Sequence, residues 1–290
     1  MEGGRASDRA GDSARFAARR LGSAAVLVLL PPSEGKSAPA ADAAHPPVDL
    51  DALIHPELTD RRVKLIGLLD RLARGPRKKA LTALGLSAGQ SAEVDKDLDL
   101  LAAPAAPAAE VYTGVLYQHL DLASLAPGAR ARAAERLLIG SALWGVVRLE
   151  DRIPAYRLSM NGRLPRIGPL ATWWRPTLTK VLPPDGLVVD LRSQTYAAAW
   201  RPPHGTTVEV RVFAEDARTT PPKRTVVSHM AKATRGDVAR ILVQARAMPR
   251  TPAAVATLIE QAGHRVELVE PPERKGGRPA PWSIDVIGSA

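Results

Sequence analysis

Three short stretches carry groups that could do chemistry on an anion. The first runs from Val226 to Val243. Thr225-Val226-Val227 is β-branched and suits a strand, with strand character expected over 224–228. The chain then turns basic through Lys232 and Arg235, and Gly236 permits a close approach or a positive φ. Val238, Ile241, Leu242 and Ala245 recur at helical spacing, with Arg240 beside that stripe. A strand that delivers cations to a helix start adds them to free backbone N–H groups and the positive dipole end, the parts of an anion site. Charges solvated at the start of a helix are the plainer reading of the same residues.

The second stretch is Pro31 to Lys36, which offers the hydroxyl of Ser33, the carboxylate of Glu34, a glycine and the amine of Lys36. It follows an apolar run and superficially resembles a phosphate loop, but the glycine spacing of a Walker motif is missing. A lysine lowered in pKa by nearby cations can attack a carbonyl or an abasic sugar; simple phosphate binding is the other role open to Lys36. The third stretch is the cationic Arg77-Lys78-Lys79 leading into Leu84-Gly85-Leu86-Ser87. A helix, an apolar-Gly-apolar-Ser turn and a second helix, over about 77–97, form the pattern of a helix-hairpin-helix. Its backbone N–H groups bind a nucleic-acid phosphate. The same four residues also describe a helix C-cap followed by an N-cap.

Composition limits what these stretches can serve. The 290 residues carry 40 basic and 30 acidic side chains, a net charge of +10, which favours polyanionic partners. Hydrophobic residues make up 45%, enough for a real core. The absence of cysteine excludes disulfides, thiol catalysis and thiolate-bound metals. His45, His55, His119, His204, His229 and His264 are scattered, and none forms a helical pair with a neighbouring carboxylate. We therefore expect no dedicated zinc or iron site and no cofactor. Arg19-Arg20 before Leu21–Leu30 imitates a signal peptide, but Pro31-Pro32 ends the apolar run at once. Residues 1–23 are expected to be a disordered extension of a cytoplasmic, monomeric protein with no membrane span.

The elements that must position these groups read as follows. Ala25–Leu30 is a central strand, apolar on both faces. An Ala/Pro loop over 37–47 leads to one or two amphipathic helices within 50–74, broken by Gly75-Pro76. The stretch 98–107 is another loop, and 130–147 is expected to be helical, burying Leu137, Leu138, Leu143 and Trp144. Trp173-Trp174 opens a helix through Leu182; tandem tryptophans point apart, so at least one packs in the core while the other could stack on a base. Strands are expected over 187–191, 208–213, 265–269 and 283–286, with a short helix from Ser193 to Trp200.

Taken in order, six of these segments resemble the YaaA peroxide stress protein family. They are Pro32-Ser33-Glu34-Gly35-Lys36, Val111-Tyr112-Thr113-Gly114, Leu143-Trp144-Gly145-Val146-Val147-Arg148, and Ala155-Tyr156-Arg157-Leu158-Ser159-Met160. Asp190-Leu191-Arg192-Ser193-Gln194-Thr195-Tyr196 and Ala231-Lys232-Ala233-Thr234-Arg235-Gly236, followed by Arg240, complete the set. The sequence departs from the family at Ala155, Ala233, Arg192 and Trp173-Trp174-Arg175.

The resemblance implies a single-domain α/β (α+β) fold over 24–290, a mixed sheet surrounded by helices with a helix-hairpin-helix-like element. It also implies DNA binding in a basic cleft with little sequence preference, and a role in limiting iron-driven oxidative damage. Ser33, Lys36, Arg157, Lys180, Ser193, Tyr196, Lys232, Arg235 and Arg240 stand at the positions it marks for phosphate binding. Met160 reads as core filler, while Glu34 and Asp190 are the acids available to pair with a cleft cation. Two functions are weighed. One is a non-enzymatic DNA-binding stress protein. The other is an enzyme acting on a nucleotide, damaged base or small anion through Lys36 or Lys232.

Overall fold

The computed structural model describes residues 26–39, 45–182, 186–202, 207–216, 218–220, 222–226, 228–272 and 280–289. The extension expected over 1–23 lies outside them. Parallel strands dominate because the most apolar segments are buried on both faces. β1 (Leu27–Leu30), β3 (Leu137–Ser141) and β6 (Val188–Asp190) are buried throughout. β3 and β6 flank β1, both parallel to it. β7 (Thr207–Asp216) continues the sheet beside β6, and β10 (Trp282–Ser289) lies parallel on the far side of β7. Antiparallel β4 (Gly145–Val147) and β9 (Arg265–Val269) close the two ends, and β8 (Lys223–Thr225) pairs with the last part of β7. β2 (Ala106–Pro107) and β5 (Arg152–Ile153) form a separate antiparallel pair.

Helices flank this mixed sheet. α1 (Thr59–Ala73) buries Leu65, Ile66, Leu69 and Leu72. α2 (Arg77–Leu84) follows the Gly75-Pro76 break, and a 3-10 segment kinked at Gln90 spans Ala88–Asp97. α3 (Ala108–Val111), α4 (Val115–Leu120) and α5 (Pro127–Arg136) lead to β3. α6 (Leu170–Val181) precedes β6, and α7 (Gln194–Ala197) follows it. α8 (Ser228–Gln244) and α9 (Pro252–Gln261) lie between β8 and β9.

Two expectations are corrected here. The helix expected over 130–147 ends at Arg136; Leu137–Ser141 is strand β3 and turns back through Gly145, at φ 76°, into β4. A short apolar run has no helical period of its own, and the exposed edge of β1 captured it. Strand β8 ends at Thr225, Val226 is exposed, and Val227 lies outside the described residues. Helix α8 begins at Ser228, so Lys232, Arg235 and Gly236 lie within its body and not at its start. Gly236 serves close approach: a Cβ there would stand 2.6 Å from the His119 Cβ and 3.1 Å from the Leu120 N, with the Leu116 carbonyl nearer still. The glycine thereby lets α8 cross α4 with the backbones in contact.

The tryptophans divide as expected. Trp174 is fully buried and donates its Nε1 hydrogen to the Ala142 carbonyl at 2.8 Å, bracing the β3–β4 turn. Trp173 is half-buried under Arg61 and Lys64, 4.4 and 4.8 Å from its ring. Met160 is buried.

Candidate functional site

The carboxyl ends of β1, β3 and β6 lie side by side. From β1 the chain passes to β3 on one side; from β6 it passes to β7 on the other. Divergence of this kind opens a crevice at the strand ends, the usual place for a ligand in an open parallel sheet. Three segments meet there: the Pro31–Lys36 loop leaves β1, Ser141 ends β3, and Asp190–Tyr196 leaves β6. The loop is fastened to a fourth. Lys36 bridges Tyr112, the Ser37 N–H donates to the Val111 carbonyl at 3.0 Å, and the Tyr117 hydroxyl donates to the Pro31 carbonyl at 2.8 Å.

Lys36 is the centre of this arrangement, only 6% exposed. Its ammonium donates to the Ser33 carbonyl at 2.9 Å and the Glu34 carbonyl at 3.5 Å. It lies over the Tyr156 ring at 4.4 Å and the Tyr112 ring at 5.8 Å. Burial, and then the nearby Arg157 guanidinium, lower its pKa to about 7. Asp97, fully buried at the end of the 3-10 helix, lies opposite in sign and shift. Burial raises its carboxyl to about 7, against the lowering effects of the Arg157 N–H bond and of Lys36. One oxygen accepts the Arg157 backbone N–H at 2.7 Å; the other is buried without a partner among the described residues. An amine and an acid that both change charge near neutrality can exchange protons with a bound group.

A chain of hydroxyls lies beneath. Tyr112 and Tyr156 share a hydrogen bond of 2.9 Å, Tyr156 and Ser141 one of 2.7 Å, and the Ser141 hydroxyl accepts the N–H groups of Leu143 and Trp144. Burial pushes Tyr112 up to about 12 and Tyr156 well above its ordinary value. These phenols therefore act at pH 7 as neutral hydrogen-bonding groups, not as bases.

The predicted residues divide between this cluster and other places. Ser33, Lys36, Arg157 and Tyr196 come together. The Ser33 hydroxyl donates to the Gly35 carbonyl, Arg157 donates to the Glu34 carbonyl at 3.1 Å, and Tyr196 accepts the Met160 N–H at 3.3 Å. Glu34 also faces Arg157 at 4.0 Å, and Asp190 pairs with the buried Arg192 at 2.7 Å. Ser193 stands at the N-cap of α7, with its carbonyl and not its hydroxyl accepting the first helical bonds. Lys180 is exposed in the last turn of α6, and Lys232 is exposed on α8. Arg240 donates to the carbonyls of Leu120 and Asp121 at 2.9 and 2.8 Å and to the Ser124 hydroxyl at 2.8 Å, tying α8 to the turn after α4. Arg235 faces the sheet beside Asp190 and Val212. Sequence reasoning missed Asp97, which sits in a charged segment that reads as solvated. Tyr112 and Tyr156 stood in two of the family-like motifs without a role assigned to them.

The turn at Leu84–Ser87 is also defined. Gly85 takes the left-handed conformation (φ 67°, ψ 38°), and Leu86 closes the helix by donating to the Leu81 carbonyl at 2.8 Å. Gly85, Ser87, Ala88 and Gly89 are exposed, as are Arg77, Lys78 and Lys79. The segment after the turn is a 3-10 helix, and the Gln90 side chain accepts the Ser87 N–H at 3.1 Å. That helix starts at the turn and ends on Asp97, with Lys96 reaching the Lys36 carbonyl at 3.4 Å.

Comparison with known proteins places this geometry. Residues 26–267 match the family model described as peroxide stress protein YaaA. A UPF0246 protein of Streptomyces coelicolor is 47% identical over 268 residues, covering 90% of this chain and 98% of the relative. UPF0246 proteins of Corynebacterium efficiens and Corynebacterium glutamicum are 40% and 37% identical, covering 84% and 83% of this chain and 96% and 95% of theirs.

Proposed function

The chain belongs to the peroxide stress protein YaaA family, and from that premise we propose that it acts in the stress response by binding DNA through backbone phosphates. The observation that carries this reading is the exposed turn at Gly85 with Lys78 and Lys79 beside it, joined by the kinked 3-10 segment Ala88–Asp97 to the Lys36–Arg157 cluster. Exposed cations beside a helix turn suit a phosphate. The segment is kinked at Gln90, and Asp97 at its end accepts the Arg157 N–H, which ties the turn to the cluster. A net charge of +10 favours the encounter. Such contacts position the DNA without reading its sequence. Occupying DNA in this way, in the cytoplasm, would limit iron-driven damage without the protein holding iron itself.

The test is binding of duplex and bubble DNA as salt is varied. The wild type should lose affinity steeply with salt, and Lys78→Ala with Lys79→Ala should flatten the logarithmic slope by about 2 for duplex DNA. No binding of either DNA at low salt would sink the proposal.

A second reading, lysine chemistry, is favoured by one observation: the Lys36 pKa of about 7 beside Asp97. A neutral amine can add to an aldehyde, forming an imine and releasing water, with the carboxyl passing the proton. Borohydride trapping on abasic DNA tests it. No adduct, or one that persists in Lys36→Ala, counts against it.

A further inference from the structure

A cavity of about 230 Å³ lies one strand away from Lys36, where the sheet has a gap. β6 pairs with β7 only as far as Glu209, and β8 pairs with the same edge of β7 only from Ala214. The other edge of β7 is taken by β10 over Val208–Glu215, so β6 and β8 must share the remaining one. Val210 to Phe213 therefore present an edge without a partner strand among the described residues. Backbone groups on such an edge need hydrogen-bond partners. The cavity sits against this edge, walled by Val212 and Phe213, floored by Asp190 and Arg192 and roofed by Ala231 and Arg235 of α8.

The charges in it are unequal in freedom. Arg192 is held by Asp190 at 2.7 Å, and Arg211 by Asp285 at 2.6 Å. The Arg235 Nε is buried without a partner among the described residues. Glu209, at the far end, accepts from Gln194 at 3.4 Å and disfavours a second negative charge on a ligand. A buried guanidinium N–H left unpaired is costly, and an anion placed against it would remove that cost. A cavity of about 150 Å³ suffices for benzene, so this one fits a single substituted ring.

We propose that the gap in the sheet between β6 and β8 is a binding site for a small monoanion, a carboxylate on a single-ring or similarly sized apolar body. The carboxylate pairs with Arg235, the body packs on Val212 and Phe213, and polar groups on its rim complete the β7 edge. The site is separate from the DNA-binding surface proposed above, and neither depends on the other.

Ligand-observed fluorine NMR on the full chain tests this with 4-fluorobenzoate, 4-fluorophenyl phosphate and 4-fluorobenzylamine as probes. The benzoate should bind at millimolar concentration, the phosphate more weakly because it is largely a dianion, and the amine not at all. Arg235→Gln should weaken benzoate by about tenfold or more, and Arg235→Lys should restore part of it. Ala231→Leu, which fills the cavity without touching the charge, should also abolish binding. DNA affinity of Ala231→Leu should match the wild type. Equal benzoate binding in wild type and Arg235→Gln, or tighter binding of the amine, would overturn the proposal, as would failure of the benzoate to bind. Should Arg235→Gln fail to fold, the probe series on the wild type and Ala231→Leu still decides.

Discussion

The carboxylate of Asp97 accepts the backbone N–H of Arg157 at 2.7 Å, across 60 residues of sequence. That bond fixes the end of the 3-10 helix against the segment carrying Tyr156 and Arg157, and so brings an acid to Lys36. Replacing Asp97 with Asn keeps an acceptor for the Arg157 N–H but removes the charge that raises the Lys36 pKa. Lys36 should therefore titrate below its present value of about 7. Carbon NMR of the lysine Cε resonances across pH reads this directly, and an unshifted Lys36 would show that Asp97 does not act on it. Asp97→Ala, which orphans the buried N–H, should instead cost about 1–3 kcal/mol in denaturant unfolding.

The same pair should shape stability against pH. Asp97 is raised from 3.8 to about 7 in the folded state, so its contribution is full below 3.8 and is lost as pH rises through 7. Lys36 is lowered from 10.5 to about 7, so its contribution is full above 10.5 and is lost as pH falls through 7. The two losses overlap near neutrality. Lys36→Met should gain stability relative to wild type as pH falls from 10.5 towards 7, and Asp97→Asn should gain as pH rises from 3.8 towards 7. Parallel curves for wild type and both variants in a pH series of urea melts would refute this.

Gly236→Ala tests the crossing of α4 and α8. The added methyl would meet the Leu116 carbonyl and the His119 Cβ, backbone and near-backbone atoms that cannot step aside. Overpacking of this kind costs about 1–3 kcal/mol, occasionally more. A melting temperature equal to that of wild type would mean that the helices separate freely.

Arg240 and the Lys78–Lys79 pair should behave in opposite ways. Arg240 spends its guanidinium on the carbonyls of Leu120 and Asp121, so Arg240→Ala should lose stability by about 1–3 kcal/mol and leave the DNA salt slope unchanged. Lys78 and Lys79 are exposed, and their removal should leave stability within about 0.5 kcal/mol while flattening the slope. Melting temperature and salt slope on the same preparations separate the two; a flattened slope in Arg240→Ala would return that arginine to the phosphate contacts.

Much of this was legible in the sequence for local reasons. An all-apolar run such as Leu27–Leu30, stopped by Pro31-Pro32, suits a strand buried on both faces, and Gly85 between leucines marks a left-handed helix end. The order of the six motifs identified the family before any packing was known. What local pattern could not supply was partnership. Leu137–Ser141 reads as the tail of a helix until the edge of β1 is beside it. Lys232, Arg235 and Arg240 look alike along the chain. α8 leaves the first in solvent, turns the second against the sheet, and binds the third to carbonyls more than a hundred residues away. Asp97 has no local mark at all, since its acidity is set by burial and by an N–H that arrives from Arg157. The sequence by itself determined which segments are apolar, where helices stop and that the chain is basic, because those depend on neighbours within a few residues. Only the tertiary structure decided which charges are free, which are paired and which titrate near neutrality, because desolvation and long-range pairing exist only once distant segments are packed together.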